Sequence, residues 1–567
     1  MKINTSERNR VFFLFIIFSL WVLFICVSLV RIQVFNYSKN VSKVRAQSNR
    51  IFSMNPKRGT IYDSKGEVLA ISVKAKSAFL SNKNSVQSLA LFKSIRKRIR
   101  LPYNKIKDIE QRIRRGDKFI WIKRKLSEQE YGRLYKIKES NRSQSVLDFI
   151  EEYKRVYPQN TTACHILGGV GVDEQGLYGI EYAMDSTIRG RGGTARVLLD
   201  ARQKVFSLEY LDEPVPGKDI YLTINAAIQF FVERELKKTV EKYKARGGAV
   251  IVMDSRDGAV LAMAVYPTFR PDRVQYTPYQ SIKNRAISFL YHPGSTFKIV
   301  LASIALEKHI CSPQHEFYCY NGTYKIRDQQ ITDDPPYRKL SFEGIIIHSS
   351  NIGAAKIAER LGKTRYYEGI KKFGFGKRIG IRLPGEERGI FKPLNRWTGV
   401  SLQFLAYGYE IAVTPLQMAR AFNVIASGGY LIQPYILKTI EGVSPEKKRT
   451  VKLLSPGTVH RMSAIMTEVV NTGTGKRTRI NGINIAGKTG TSKRITKNKD
   501  REKYVPSFGG FFPVENPRVT MFVVINEPKR LHYGGDVAAP LFKSIAEKLL
   551  IYLKIFPNSN GKSVIRI

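Results

Sequence analysis

The chain contains 567 residues, of which 43% are hydrophobic and 11% are aromatic, a composition typical of a folded chain of roughly two to four domains. Its 94 Lys and Arg outnumber its 47 Asp and Glu, which gives a formal net charge of +47. Because the cations are spread over the whole length and form no recognisable nucleic-acid-binding motif, we exclude a nucleic-acid partner. We interpret them mainly as solvated side chains, which also favour contact with anionic lipid and other anionic polymers.

An uncharged apolar segment occupies residues 11–30. As a helix of about 20 residues it spans ~30 Å, the hydrocarbon thickness of a bilayer, so it predicts one N-terminal transmembrane helix. The segment ends before Arg31 without the small-residue cleavage site of a secreted precursor, and bulky residues before Cys26 disfavour a lipoprotein signal. Basic residues flank both ends, so the charge count alone leaves the orientation open.

A region that we call the pedestal follows, and we assign it residues 31–213. It opens with a basic, polar stalk that ends near residue 55. The later pattern predicts a mixed α+β structure, with a β-hairpin in 58–70, short basic helices around a strand at 119–122, and a Gly-rich turn into a helix at 176–181.

A Pro-Val-Pro-Gly segment at residues 214–217 marks a domain boundary. Beyond it we expect a strand at 219–224, a helix at 226–244 and a hairpin around Asp257-Gly258. The strands of that hairpin are 248–254 and 259–265, and further strand candidates are 485–491, 507–512 and 519–525. Strands at both ends with helices between them predict one sheet flanked by helices. We assign this domain residues 214–555, with tails at 1–10 and 556–567.

A Ser-x-x-Lys motif, formed by Ser295 and Lys298, follows a Pro-Gly turn and opens a predicted amphipathic helix. Ser295 therefore lies at a helix N-terminus, where backbone N–H groups stabilise a developing oxyanion. Lys298 lies one turn further on the same face and, when buried, can lose its proton and act as a base. A second copy, Ser94 to Lys97, lacks a helix-start signal, and we predict that it lies on a solvated face.

The next motif is Ser349-x-Asn351, which follows an apolar segment. It supplies a hydroxyl for proton relay and an amide that can hold a peptide carbonyl. The same segment is suited to capping the helix after it, and the two roles are compatible.

Lys488, Thr489, Gly490 and Thr491 form a Lys-Thr-Gly-Thr motif in a predicted strand. Alternation places the two threonines on one face, where they can bind a peptide carboxylate. Gly490 permits close approach of a backbone, and the Lys488 stem is long enough to reach Ser349. The Gly-rich loop of a nucleotide-binding motif is absent ahead of this Lys-Thr pair.

In this order, the three motifs are those of serine acyltransferases of the penicillin-binding and β-lactamase type. The chain resembles class B penicillin-binding proteins, the monofunctional transpeptidases, over essentially its whole length. The segments that carry the resemblance are 58–70, 176–181, 222–229, 293–298, 413–419 and 533–540.

The resemblance implies an α/β (α+β) fold: a transpeptidase domain with a central antiparallel five-stranded sheet flanked by helices, a mixed α+β pedestal and one N-terminal transmembrane helix. It implies acylation of Ser295 by the penultimate D-Ala of a stem pentapeptide, with the oxyanion held by backbone N–H groups of Ser295 and Thr491. The implied catalytic residues are Ser295, Lys298, Ser349, Asn351 and Lys488, and the implied substrate-binding residues are Thr489, Gly490 and Thr491.

The resemblance also implies β-lactams as covalent inhibitors and no metal or cofactor. The implied partners are a SEDS-type membrane glycosyltransferase and divisome proteins. Because stem peptides lie outside the cytoplasm, it implies a single-pass protein of the inner membrane with a cytoplasmic N-terminus and a periplasmic catalytic domain. Residues 119–124 and 373–376 resemble the division-associated branch more than the elongation-associated branch, which stays as the alternative.

Two other functions are weighed. A β-lactamase would need a dedicated deacylation base, which we cannot assign, and has no use for a pedestal. A β-lactam sensor or a catalytically silent scaffold would need an output domain or would have lost a motif. All three motifs are intact, so both alternatives rank below a transpeptidase.

The four cysteines are too few for a disulfide framework. Cys311 and Cys319 are either a small-loop disulfide or two free thiols. Cys164 and His165 are adjacent, and on a strand they would point to opposite faces, so we do not expect a thiol catalyst. No metal-ligand spacing occurs among the His and Cys residues.

Overall fold

The computed structural model describes residues 5–38, 49–82, 84–140, 146–199, 205–443, 449–494, 503–557 and 563–565. It divides into two compact units, one of residues 1–57 with 190–217, the other of residues 58–189 with 218–567. The first contains the helix Thr5–Val30, continued by a π-helical turn Arg31–Phe35, and an antiparallel sheet. In order, the strands of that sheet are Asn49–Met54, Gly193–Leu199 and Val205–Asp212.

The N-terminal helix is apolar on all sides. Within residues 8–35 an 18-residue stretch reaches a mean hydropathy of 2.9, and by length and composition this helix can cross a membrane. Large side chains such as Phe12, Leu14 and Phe24 are exposed, although burial of apolar surface normally drives folding. The prediction of one long apolar helix at this end of the chain is confirmed, with the helix extending beyond residues 11–30 on both sides.

In the second unit, the pedestal is built on a six-stranded sheet. Its strands include the hairpin of Ile61–Tyr62 with Val68–Ser81 and the strand Phe119–Lys123, as predicted. The other three are Leu147–Val156, Ile220–Leu222 and Leu437–Ile440. The remaining pedestal elements are helices Ser85–Arg98, Tyr103–Arg115, Glu128–Ser140, Cys164–Leu167, Gly179–Ala183 and Asp185–Ile188, and strands Gly169–Val170 and Gly176–Tyr178.

Two strands of this sheet come from beyond the Pro-Gly segment at residues 214–217. Ile220–Leu222 pairs in parallel with Ile61–Tyr62 and antiparallel with Leu437–Ile440. Asp63 adds a further link, because its carboxylate accepts hydrogen bonds from the N–H groups of Lys65, Glu67 and Ala226 at 2.7, 2.9 and 3.0 Å. The pedestal hairpin therefore caps the first helix of the next domain.

That domain has the expected central antiparallel sheet of five strands, in the order β2-β1-β5-β4-β3. The strands are β1 (Gly247–Asp254), β2 (Val260–Tyr266), β3 (Ala486–Arg494), β4 (Lys503–Phe512) and β5 (Val519–Asn526). The hairpin around Asp257-Gly258 joins β1 to β2, as predicted. β3 lies at the edge of the sheet, so one side of its backbone is left without a strand partner.

Helices cover both faces of the sheet. The main ones are α1 (Ala226–Lys242), α2 (Lys298–Glu307), α3 (Phe342–His348), α4 (Asn351–Leu361), α5 (Pro415–Ala426), α6 (Pro456–Asn471) and α7 (Gly534–Tyr552). Along β1, Ile251 packs in the cluster that contains α2 and α5, and Val252 in the cluster that contains α1 and α7. Because successive side chains face opposite sides and both sides are buried, the strand is apolar throughout.

Shorter elements complete the domain. They are helices Tyr279–Ile282, Arg285–Ser288, Lys363–Lys372 and Ser401–Ala406, 3₁₀ turns Pro271–Tyr276, Gly294–Phe297, Tyr320–Gly322, Leu394–Arg396 and Lys476–Thr478, and strands Glu316–Tyr318, Thr323–Ile326, Gln329–Thr332, Lys339–Ser341, Ile390–Phe391, Ile411–Ala412, Tyr430–Ile432, Thr450–Lys452, Ile555–Pro557 and Ser563–Ile565.

The expectation for Cys164 and His165 was wrong in its geometry. Cys164 begins a short helix, and its Sγ lies 3.4 Å from His165 Nδ1. Burial raises the pKa of the Cys164 thiol and lowers the pKa of His165 to about 4. Both side chains therefore stay uncharged at neutral pH, which leaves no reactive thiolate. Cys311 and Cys319 are both free thiols.

A buried ion network holds the pedestal together. The Glu181 carboxylate, which is 0% exposed, accepts from Arg58 Nε at 2.6 Å and from Arg155 Nε at 2.7 Å. Arg58 also donates to Asp185 at 2.6 Å and to the backbone oxygen of Glu174 at 3.0 Å. Since two guanidinium groups share one carboxylate, removal of that charge takes away the ionic partner of the buried Arg155 and leaves Arg58 with Asp185.

We expect Glu181→Gln to lower the stability of the protein by about 3–5 kcal/mol, the cost of breaking a buried ion pair. Calorimetry of the purified protein measures the change in unfolding temperature. Glu151→Gln is the control, because Glu151 pairs with Lys74 and Lys76 at the surface, where such pairs contribute less than about 1 kcal/mol. Equal effects of the two substitutions on the unfolding temperature would contradict the stabilising role of Glu181 in the buried ion network.

Candidate active site

The Ser295 hydroxyl lies on a tight turn in front of a buried helix. The turn Gly294–Phe297 leads into α2, in which Val300, Leu301 and the rest of one apolar surface are fully buried. Ser295 itself is half-buried. Gly294 has a φ of +56°, and a Cβ there would lie 2.9 Å from the backbone oxygen of Thr491, so glycine is needed where the turn meets β3.

Lys298 is 0% exposed and gathers the other polar residues of the site. Its Nζ lies 3.1 Å from Ser295 Oγ and 2.8 Å from Asn351 Oδ1. It also lies 2.5 Å from the backbone oxygen and 3.4 Å from Oγ of Ser349. Burial lowers the pKa of Lys298 well below its usual value, and the nearby charge of Lys488 lowers it further. The amine is thus suited to accept a proton from Ser295.

A sharp turn between α3 and α4 presents Ser349 and Asn351 to this amine. Ser349 ends α3 with a φ of +65°, and Ser350 caps α4 by accepting from Gly353 N at 2.8 Å. Asn351 Nδ2 donates to the backbone oxygen of Thr332 at 3.0 Å, which fixes the amide with Oδ1 toward Lys298. The segment therefore caps a helix and also supplies polar groups to the site, the two roles considered from the sequence.

Asp333 is a residue that sequence reasoning missed. Its carboxylate is 9% exposed and accepts from Asn351 N at 2.5 Å, Ile352 N at 3.1 Å and Ser350 Oγ at 2.5 Å. Its negative charge also opposes the lowering of the Lys298 pKa. No local motif marks this aspartate, because it follows a surface hairpin strand, Gln329–Thr332, and meets α4 only in the folded chain.

Lys488 lies on β3 and is fully buried, which lowers its pKa to about 7. Its Nζ donates to the backbone oxygen of Thr489 at 3.3 Å. We expected it to reach Ser349, but between described residues the structure contains no hydrogen bond from Lys488 to Ser349. Lys488 acts here through its charge on Lys298 instead.

The two threonines of β3 are fixed by neighbouring loops. Thr489 Oγ1 lies 2.6 Å from Thr474 Oγ1, and Thr491 Oγ1 accepts from Gly534 N at 2.9 Å. Thr474 was not predicted, and it adds a third hydroxyl beside the strand. Because Thr491 uses a lone pair toward Gly534, its own hydroxyl hydrogen stays available for an acceptor such as a carboxylate.

Gly490 is required by the nucleophile turn. A Cβ at this position would lie 2.7 Å from Thr296 Cγ2 and 3.0 Å from the backbone oxygen of Pro293. We predict this glycine to permit the approach of a substrate backbone, and the structure adds a close approach of the turn that carries Ser295. The free edge of β3 and the turn therefore lie side by side.

The second Ser-x-x-Lys copy lies on the surface of the pedestal. Ser94, Arg96 and Lys97 lie on the exposed side of the helix Ser85–Arg98, as predicted. Among the described residues, no group of three or more His, Cys, Asp or Glu side chains is arranged to hold a metal ion. The polar side chains of the site around Ser295 are two lysines, hydroxyl groups, the Asn351 amide and the Asp333 carboxylate.

A buried lysine amine beside a half-buried serine, at a helix start and next to a sheet edge, is the arrangement of a serine acyltransferase. Residues 248–547 match the penicillin binding protein transpeptidase domain, and residues 53–222 match the penicillin-binding protein dimerisation domain. The chain therefore belongs to the penicillin-binding protein transpeptidase family. It is a serine-type transpeptidase of class B.

Individual relatives agree with this assignment. The probable peptidoglycan D,D-transpeptidase PenA of Neisseria gonorrhoeae is 30% identical over 96% of this chain and 93% of its own length. The peptidoglycan D,D-transpeptidase FtsI of Escherichia coli K12 is 28% identical over 93% of this chain and 89% of its own. The crystal structure of penicillin binding protein 2X from Streptococcus thermophilus shares the fold, with a TM-score of 0.72, 22% identity, and coverage of 88% of this chain and 80% of that one.

We expect Asp333→Asn to slow acylation by benzylpenicillin roughly 10- to 100-fold, because a hydrogen bond to a charged group is worth about 1.5–3 kcal/mol. Stopped-flow measurement of acylation gives the rate. The neighbouring Asp334, which is exposed, provides the matched control Asp334→Asn, for which we expect a change of less than about twofold. A normal rate in Asp333→Asn would remove Asp333 from the site.

The pH dependence of acylation tests the state of Lys298. Since the free amine is the form that accepts a proton, the rate should rise with pH through the lowered pKa of Lys298 and level off well below the usual lysine pKa of about 10.5. Lys298→Arg should not be acylated at any pH, because guanidinium keeps its proton. A rate that still rises near pH 10 would show that Lys298 is charged at neutral pH.

Proposed function

We propose that this transpeptidase cross-links peptidoglycan stem peptides through an acyl-enzyme on Ser295. The observation that carries the proposal is the convergence of Ser295 Oγ, Ser349 and Asn351 on the single buried amine of Lys298, at 2.5–3.4 Å. The names of the two relatives, both peptidoglycan D,D-transpeptidases, support the same substrate.

In the first half-reaction, Lys298 takes the proton of Ser295 while Oγ attacks the carbonyl carbon of the penultimate D-Ala. The tetrahedral oxyanion is held by the backbone N–H groups of Ser295 and Thr491, each worth about 2.7–4 kcal/mol in comparable sites. As the C–N bond breaks, the proton passes from Lys298 through the Ser349 hydroxyl to the departing nitrogen. D-Ala leaves, and the peptide stays esterified to Ser295.

In the second half-reaction, an amine of a neighbouring stem peptide attacks the ester carbonyl. Its proton returns to Ser295 by the reverse route, through Ser349 and Lys298, so the enzyme is regenerated. A new peptide bond replaces the one that was broken, and the reaction consumes no external energy source. Lys488 lowers the pKa of Lys298 by its charge in both halves.

The donor peptide is held by groups on both sides of Ser295. Thr489 and Thr491 bind the terminal carboxylate, Asn351 orients a peptide amide, and Gly490 keeps the backbone of β3 close to the nucleophile turn. β-Lactams occupy the same positions, with the lactam carbonyl in place of the scissile one. The ring nitrogen stays attached to the acyl group and does not diffuse away, so the acyl-enzyme persists.

The membrane orientation and the partners of the protein follow from its substrate. Stem peptides lie outside the cytoplasm, so the apolar helix crosses the inner membrane with residues 1–10 in the cytoplasm and the domain of residues 214–555 in the periplasm. We infer a SEDS-type glycosyltransferase and divisome proteins as partners of the helix and pedestal. The resemblance to division-associated enzymes and the similarity to FtsI favour septal synthesis over elongation.

Labelling with a fluorescent penicillin tests the proposal, with Ser295→Ala and Ser94→Ala as a matched pair, because both serines stand in a Ser-x-x-Lys motif. We expect a stable covalent adduct on the parent and on Ser94→Ala, and none on Ser295→Ala, since only Ser295 lies beside a buried amine. Rapid loss of label from the parent would instead favour a β-lactamase, and labelling of Ser295→Ala would exclude this nucleophile.

A further inference from the structure

The three-helix end of the pedestal has a much higher cation density than the rest of the chain. We call residues 84–140 the head; it contains helices Ser85–Arg98, Tyr103–Arg115 and Glu128–Ser140 and the strand Phe119–Lys123. This tenth of the chain has 17 Lys and Arg against 6 Asp and Glu, a net of +11 out of the total of +47. A uniform excess of basic residues would place less than half of that charge here.

Half of the six acidic side chains in the head already form ion pairs with cations of the head. Glu110 pairs with Arg96, Asp117 with Arg112 and Glu130 with Lys123. Several exposed cations have no carboxylate partner among the described residues, and five of them adjoin: Lys97, Arg98, Arg100, Arg133 and Lys136. We call these five the head cluster.

The head cluster is brought together by tertiary packing. Lys97 and Arg98 end the helix Ser85–Arg98, and Arg100 follows two residues later. This helix packs against the helix Glu128–Ser140. Arg133 Nη1 donates to the backbone oxygen of Arg98 at 3.4 Å, which brings the third helix to the same place, and Lys136 lies one turn further. Five positive charges spread over exposed residues of two helices and the segment after the first favour a flexible polyanion over a compact small molecule.

We propose that the head cluster binds the carboxylates of an uncross-linked peptidoglycan strand, as a second contact for the polymer apart from the catalytic site. This inference rests on the proposed function. Each stem peptide that ends in D-Ala carries at least a terminal carboxylate, so a strand with many stems is a regularly spaced polyanion. A second contact on the same polymer raises the local concentration of stem peptides near Ser295.

A membrane surface is the other polyanion to consider, but the head lacks the exposed apolar helix side that membrane binding needs. A helix that lies in a bilayer interface presents an exposed apolar side of Leu, Phe or Trp residues. In the helix Ser85–Arg98, which ends in two of the five cations, Phe92 and Ile95 are 0% exposed and pack inward. The large hydrophobic residues exposed in the head are spread one to an element, so none of its three helices presents an apolar side; they are Val86, Tyr103, Phe119 and Tyr135.

The test uses the full-length protein in nanodiscs of zwitterionic lipid, acylated with penicillin so that the catalytic site is blocked. The probe is a fluorescent, uncross-linked glycan strand with pentapeptide stems, and its binding is followed by polarisation. We expect the triple variant Lys97→Gln/Arg100→Gln/Arg133→Gln, the head variant, to weaken binding at least about threefold, since it removes three exposed ionic contacts of roughly 0.2–1 kcal/mol each. Raised salt should weaken parent binding, because exposed charges are screened beyond about 8 Å in physiological salt.

The matched control removes three exposed, unpaired cations from a helix of the transpeptidase domain, Lys363→Gln/Arg365→Gln/Lys372→Gln. We expect less than about a twofold change for it. Strands whose carboxylates have been converted to amides should bind the parent about as weakly as native strands bind the head variant. Equal losses in the two triple variants, or full binding of amidated strands, would overturn the proposal.

Two further readouts separate the possible failures. The head variant should react with fluorescent penicillin at the parent rate. Loss of that reaction in the variant alone would show that the variant is misfolded, and absence of the reaction in the parent as well would be a failure of the proposed function. Binding to vesicles containing phosphatidylglycerol is measured in parallel. A variant that loses only vesicle binding, while strand binding stays intact, would assign the head to a membrane surface and overturn the proposal.

Discussion

Burial of the Lys298 amine is the constraint on which the rest of the site depends. A lysine in water keeps its proton at neutral pH, whereas burial next to a second buried lysine lowers the pKa of Lys298 and makes the proton easier to lose. The protein offsets the cost of this burial with three polar partners, Ser295, Ser349 and Asn351, all arranged around Nζ. The positions of these three residues therefore depend on one another, because each makes a hydrogen bond with the same buried Nζ atom.

The nucleophile turn is held between two rigid elements. α2 is buried along its length, and the edge strand β3 presses against the turn so closely that glycine is required at both Gly294 and Gly490. A sheet edge is normally a liability, since its backbone groups lack partners. Here the same free edge is what can accept an extended peptide, and the turn places the reactive hydroxyl beside it.

The pedestal is joined to the catalytic domain by backbone pairing. Ile220–Leu222 lies between a pedestal strand and Leu437–Ile440, and Asp63 caps α1. The Arg58–Glu181–Arg155 network fixes the pedestal segment from which this hairpin starts. Movement of the hairpin would break both the strand pairing and the helix cap. Within this unit we therefore expect the pedestal sheet and the catalytic domain to move together.

Local sequence determined the apolar helix, the five strands and the three motifs, because hydrophobic period and short-range spacing act over a few residues. It did not indicate that β1 pairs with β5, that Ile220–Leu222 joins the pedestal sheet, or that Asp333 caps α4. These facts depend on contacts between distant parts of the chain. The sequence by itself determined which chemical groups the enzyme carries; only the tertiary structure decided that two lysines are buried together, and burial is what changes their chemistry.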